Sequence, residues 1–361
     1  MIGTSIAYHL AARGADVIVI ERSAIACAAS GKSGGFLAMD WCDGTPLMHL
    51  ARRSFALHEQ LADEHAGGWG YRQMTTYGGV LRSSSTAASR GARPEWLSPE
   101  VSLQGRLGST STTAQVQPAV FTAGMMRAAQ ARGAELRLGN VTGLLCRGGD
   151  VGGVDLDGEA LEGDAVVIAM GPWSVLAAQW LPVPPVFGLK GHSLVFDTGT
   201  AIPPEAVFLE CVDATGAMLT PEVFPRADGT TYVCAISSGS PLPTDPARVV
   251  PDDGAIDRLK ALCARISPIL ASSRVLASQA CFRPVTEDGL PLIGAIPGVS
   301  GAYLATGHSV WGILNAPATG EAVAELILNG ATRAVDLSAF DPARLEVVDP
   351  GCGTMMHGRL R

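Results

Sequence analysis

The residues of this chain best suited to chemistry lie near its C-terminal end. Cys281-Phe282-Arg283-Pro284 leads through Thr286 into Asp288-Gly289-Leu290-Pro291-Leu292-Ile293-Gly294. Tyr303-Leu304-Ala305-Thr306-Gly307-His308 follows, then Trp311-Gly312-Ile313 and Pro317-Ala318-Thr319-Gly320. Arg283 offers a planar guanidinium that grips a carboxylate through two parallel hydrogen bonds. The competing reading is a structural ion pair with Glu287 or Asp288 in the same turn. Around Gly307 an apolar strand runs into a glycine-bounded loop and then a helix. Such a junction turns backbone N–H groups and the positive end of a helix toward an electron-rich ligand. Gly307 and Gly312 let a flat ring lie directly on the main chain. A lone histidine such as His308 is most often structural, and Trp311 either walls a pocket or packs.

The start of the chain carries half of a nucleotide-binding unit. Gly3 opens an apolar helical pattern (Ile6, Ala7, Leu10, Ala11) that ends at Gly14, and the strand Val17-Ile18-Val19-Ile20 closes on Glu21. Helix, strand and an acidic residue able to hold a ribose are the second half of a dinucleotide-binding βαβ unit. The first strand and the first two glycines of G-x-G-x-x-G are missing, and Met1 stands where their loop belongs. Either the start lies upstream or part of a cofactor site is lost. On both readings the 361-residue chain is expected to be poorly stable and to bind its cofactor weakly. Ala28-Ala29-Ser30-Gly31-Lys32-Ser33-Gly34-Gly35 contains Gly-Lys-Ser, but Ala26 replaces the glycine of a P-loop. Small residues here suit close approach of a ligand to the main chain.

The order and spacing of these segments resemble the D-amino-acid oxidase family of FAD-dependent amine oxidoreductases, which includes glycine and sarcosine oxidases. Specific motifs fall at 3–35, 115–141, 164–174 and 281–320. The resemblance implies non-covalent FAD, since the 303–314 loop has no cysteine for a thioether. It implies cofactor contacts from Gly3, Glu21, Arg22, Ala29, Ser30, Gly31, Ser33, Gly34, Val141, Ala169, Gly171, Trp173, Gly307, His308, Gly312 and Ile313. It places Arg283 and Trp311 against substrate and names no side-chain general base. The reaction implied is hydride transfer to flavin from a carbon bearing an amine. The monomeric sarcosine oxidases use a lysine from the middle domain to activate oxygen, and no lysine lies between Lys190 and Lys260. Two alternatives stand beside this reading. One is a non-catalytic or impaired relative. The other is an NAD-dependent dehydrogenase, which Glu21 alone permits but which has no use for the 281–320 signature.

Composition sets the frame for these motifs. A formal net charge of −8 gives no footprint for nucleic acid or an anionic membrane. No run approaches the roughly 20 apolar residues of a membrane span. Eight scattered cysteines without C-x-x-C or metal-ligand spacing read as free thiols in a reducing compartment, the cytoplasm unless an upstream segment directs otherwise. The expected fold is α/β. Segments 1–66, 114–181 and 281–361 form a discontinuous, Rossmann-like FAD-binding domain lacking its first strand, and 67–113 and 182–280 form an antiparallel-sheet substrate domain. Helices are expected at about 46–65, 121–132 and 255–266, a hairpin at Asp157-Gly158, an exposed loop at 83–92 and a strand ending at Val141.

Overall fold

The computed structural model describes residues 1–65, 69–82, 93–148, 150–213 and 215–347. The loop expected at 83–92, the boundary at Gly67 and the segment 348–361 lie outside the described residues.

Apolar spacing makes Ile2–Ala11 a helix that buries Ile6, Ala7, Leu10 and Ala11. Gly14, at φ 79°, turns the chain into the strand Ile18–Glu21, which pairs in parallel with Glu135–Leu138. A second parallel pair, Val166–Ile168 with Ala302–Thr306, carries Leu292–Ala295 antiparallel on its far side. Among the described residues no ladder joins these two parts. Glu135 and Gly139 donate to the carbonyls of Val17 and Glu21, so alternation directs the peptide groups of Ile18 and Ile20 the other way. Val167 faces away from its partner strand for the same reason, and both strands border one large cavity.

The helix Gly312–Asn329 packs on Ile2–Ala11 and on Met48–Glu64. A Cβ on Gly320 would come within 2.6 Å of the Ser5 backbone, so the two helices cross where only glycine fits. Pro317 interrupts this helix and deprives the Ile313 carbonyl of its N–H donor. Met48–Glu64 repairs the break from outside. His58 Nε2 donates to the carbonyls of Ile313 at 2.9 Å and Leu314 at 3.2 Å, and Ser54 Oγ accepts from Ala318 N–H at 3.0 Å.

Two small three-stranded sheets, Val141–Arg147 with Asp150–Leu156 and Glu159–Glu162, and Phe36–Ala38 with Thr113–Gln115 and Arg72–Gln73, stand beside a larger eight-stranded sheet. Its order is Arg274–Val285, Phe187–Asp197, Thr230–Ser238, Glu222–Pro225, Glu205–Val212, Thr75–Leu81 and Val101–Gly108, with Met218–Leu219 beside Glu205–Val212. It is antiparallel except where Glu205–Val212 runs parallel to Thr75–Leu81. That one parallel pair departs from the all-antiparallel expectation, because the chain makes a long excursion between the two strands. Helix Ala255–Ile266 covers one face through Leu259, Leu262 and Ile266 on Leu194, Phe196 and Val233. The opposite face looks into the cavity.

Other boundaries shift modestly: the expected helices run Met48–Glu64, Pro118–Gln130 and Ala255–Ile266. Asp157 and Gly158, both at positive φ, make the expected hairpin. Val141 does not end a strand. The chain breaks at Gly139-Asn140, where Asp157 caps the Asn140 N–H at 2.9 Å, and Val141 begins the next strand, Val141–Arg147.

Candidate active site

A cavity of about 1270 Å³ lies between the parallel strands and the eight-stranded sheet. It exceeds the roughly 300–1,000 Å³ of ordinary small-molecule clefts and has room for an elongated dinucleotide. Fourteen of the sixteen expected cofactor contacts border it, from Gly3, Glu21 and Arg22 to His308, Gly312 and Ile313. Gly31 and Gly307 do not. A Cβ on Gly31 would lie 2.0 Å from the Ala26 carbonyl oxygen, and Gly307 sits at φ 79° against Thr286. Both shape the loops that carry the lining residues.

The small-residue loop is held by its carbonyls. Ser30 O accepts from Thr122 Oγ1, Lys32 O from Gln279, Ser33 O from Arg226 and Gly34 O from Gln115, at 2.8–3.2 Å. A trans peptide points its N–H opposite its carbonyl, so the N–H groups of Ser33, Gly34 and Gly35 turn the other way. Gly34 lies against the rings of Phe224 and Tyr232, where a Cβ would approach to 2.3 Å. Sequence reasoning missed these four anchoring side chains, because they come from four separate segments. Glu21 Oε1 accepts from Ser23 N–H at 3.0 Å, and the Met1 amine donates to Ser30 Oγ at 3.0 Å.

At the other end, Thr306 Oγ1 donates to Gly171 O at 2.9 Å and ties the Gly307 loop to the Gly171 turn. His308 is buried with Nε2 against Thr319 Oγ1 at 3.1 Å, while its Nδ1 has no protein partner. Burial lowers its pKa to about 3, so the ring is neutral. It positions this loop. The side chains of Arg22 and Trp173 do something unforeseen. Arg22 donates to Thr244 O at 3.1 Å and Trp173 Nε1 to Pro243 O at 2.7 Å, which fixes the proline-rich segment 239–249 beside the cavity with Pro246 on its lining.

Arg283 reaches the cavity from Arg274–Val285. The ion pair with Asp288 is not formed: Arg344 takes that carboxylate through two contacts of 2.6 and 3.0 Å. The Arg283 guanidinium lies across Gly191, whose Cβ would stand 3.3 Å from Nη2, and Nη1 contacts Ser237 Oγ at 3.4 Å. Glu222, Cys234, Tyr232 and Cys281 complete its surroundings. An irregularity opposite His192/Ser193 leaves Ala235 unpaired; Cys234 borders the cavity, and Ser237 meets Arg283 further along the same strand. No spacing in the sequence singles out Glu222, Gly191 or Cys234; the Asp228-Gly229 turn that pairs the strands of Glu222 and Cys234 is the signal that was available. Trp311 borders the cavity as well.

A carboxylate at a strand end, an outward-turned glycine loop and buried polar atoms without partners, Ser33 Oγ and His308 Nδ1, suit a bound dinucleotide. The arrangement suits a dinucleotide-binding protein whose cavity extends onto an adjoining sheet. The chain belongs to the FAD-dependent oxidoreductase (DAO) family, whose model matches residues 1–326. It is 30% identical to an oxidoreductase of Schizosaccharomyces pombe across 94% of this chain and 95% of that one. It is 29% identical to a glycine oxidase of Bacillus licheniformis, with 96% of each covered. The crystal structure of glycine oxidase from Geobacillus kaustophilus has the same fold, with a TM-score of 0.79, 24% identity and 95% and 96% coverage. The protein is thus an FAD-dependent oxidoreductase of the amine or amino-acid oxidase type. Among the described residues no helix is long and apolar enough to cross a membrane, and seven cysteines are free thiols.

Proposed function

We propose that this enzyme oxidises the C–N bond of an amine or amino acid whose carboxylate rests on Arg283. The observation that carries this is the guanidinium itself, placed in the cavity with its sequence-neighbour Asp288 already committed to Arg344. When bound, FAD supplies the acceptor for the hydride leaving the carbon that bears the amine. Glu21 would hold the ribose, and the 30–35 loop and the start of Gly312–Asn329 would face the phosphates and the ring. Gly191 leaves the space in which Arg283 lies flat, so the carboxylate is oriented before any chemistry. His308, neutral and held by Thr319, fixes the loop without exchanging a proton. The imine product hydrolyses in water. Support comes from the family and from glycine oxidases among its relatives.

The test is direct. Purified protein incubated with FAD should turn yellow, and anaerobic addition of an amino acid should bleach the flavin band. Protein that stays colourless after reconstitution, or a band no amine bleaches, overturns the reading.

A further inference from the structure

The substrate wall of the cavity carries one carboxylate set among aromatic rings. Glu222 lies across from Phe208 on one neighbouring strand and from Cys234 on the other. Its Oε2 accepts the Cys234 thiol at 3.4 Å. Phe224, two residues on, shares its face with Tyr232, and those rings lie parallel at 6.1 Å. Phe36 and Trp41 close the group from the opposite side. Phe36 stacks on Phe224 at 5.2 Å, and Trp41 meets Phe208 edge-on at 4.8 Å. All these rings border the cavity with Glu222.

Nothing in the reaction proposed above uses Glu222. Burial raises its pKa, and the field of Arg283 acts the other way. Yet Arg283 turns toward Ser237 and Glu222 toward Cys234, so among the described residues the two charges make no direct ion pair. A carboxylate facing a cavity among π faces is a receptor for an organic cation, since ring quadrupoles attract the same charge the carboxylate does. The α-amine is the wrong cation for it. A carboxylate held against that nitrogen keeps it protonated, and hydride removal from the adjacent carbon needs the nitrogen lone pair. A charge farther along the substrate carries no such penalty.

We propose that the site takes an amino acid with a cationic side chain, its carboxylate on Arg283 and its distal ammonium or guanidinium on Glu222 within the aromatic wall. This rests on reading the cavity as an amino-acid oxidation site. The experiment is calorimetric titration of the FAD-loaded protein with lysine and with norleucine, which lacks only the terminal ammonium, each as both enantiomers. Lysine should bind at least about tenfold more tightly, the scale of one charge-assisted contact. Glu222→Gln should abolish that difference, whatever shift it makes in both ligands alike through the neighbouring charge of Arg283. Equal or tighter binding of norleucine by the unmodified protein overturns the proposal without any variant, and so does a lysine preference that survives Glu222→Gln. Anaerobic bleaching of the flavin band is read in the same samples. Bleaching by norleucine and lysine alike at equal affinity upholds the reaction and removes the cation site. A lysine preference without bleaching does the reverse.

Discussion

The sequence offers Arg283 as a candidate for binding a carboxylate, but does not show what leaves it free on the cavity lining. The deciding facts are that Arg344, 56 residues further on, holds Asp288, and that Gly191 on the next strand leaves room for the guanidinium. Contacts between distant segments have no local spacing to announce them. Arg283→Ala should leave flavin content unchanged and weaken carboxylate-bearing ligands by about 1.5–3 kcal/mol, the worth of a charge-assisted bond. Arg283→Lys should be impaired as well, because a single ammonium cannot reproduce the two-pronged grip. Titration of each variant with a substrate amino acid and its decarboxylated amine checks this, since only the former should lose affinity. His308, expected beside the cofactor, lies on the cavity lining against Thr319, whereas Glu222, at the start of a strand of four residues, carried no pattern at all.

Among the elements, the helices and the Asp157-Gly158 hairpin followed from apolar periodicity and turn chemistry. The repair of the Pro317 break did not, for it joins Met48–Glu64 to a helix more than 250 residues away. His58→Ala leaves the Ile313 carbonyl without a donor and should destabilise the fold by about 1–3 kcal/mol, measured by urea unfolding. The same histidine gives a pH signature. Burial lowers the pKa of His58 and of His9 to about 4, below the value of about 6.5 for an unfolded histidine. The unfolded chain therefore binds more protons between these values, and stability that is complete above pH 6.5 drains away as the pH falls toward 4. Asp252, held to about 2, titrates below that window. Unfolding free energies at pH 7 and pH 4.5 should differ less in His58→Gln than in the parent, and equal differences would assign the slope to other groups.

For the whole molecule, the sequence indicated a parallel unit and an antiparallel partner sheet. The coordinates add that the strand Ile18–Glu21 and the strand Val166–Ile168 each keep one ladder and turn their other edge to the cavity. Such edges exchange their amide hydrogens readily. The amides of Ile18, Ile20 and Val167 should lose protection well before those of Phe187–Asp197, which is laddered on both sides; equal protection would show that these edges have found partners. The segment 239–249 has a different bearing. Pro241, Pro243 and Pro246 stiffen it, and Arg22 and Trp173 hold its carbonyls from the dinucleotide side. Replacing Pro241 and Pro243 by glycine, which leaves both anchoring side chains in place, should quicken the release of FAD on dilution and its uptake together, leaving the equilibrium constant little changed. That outcome would make the segment a clasp that sets how long the cofactor stays, separately from how strongly the cavity holds it, and unchanged release would give it no such part.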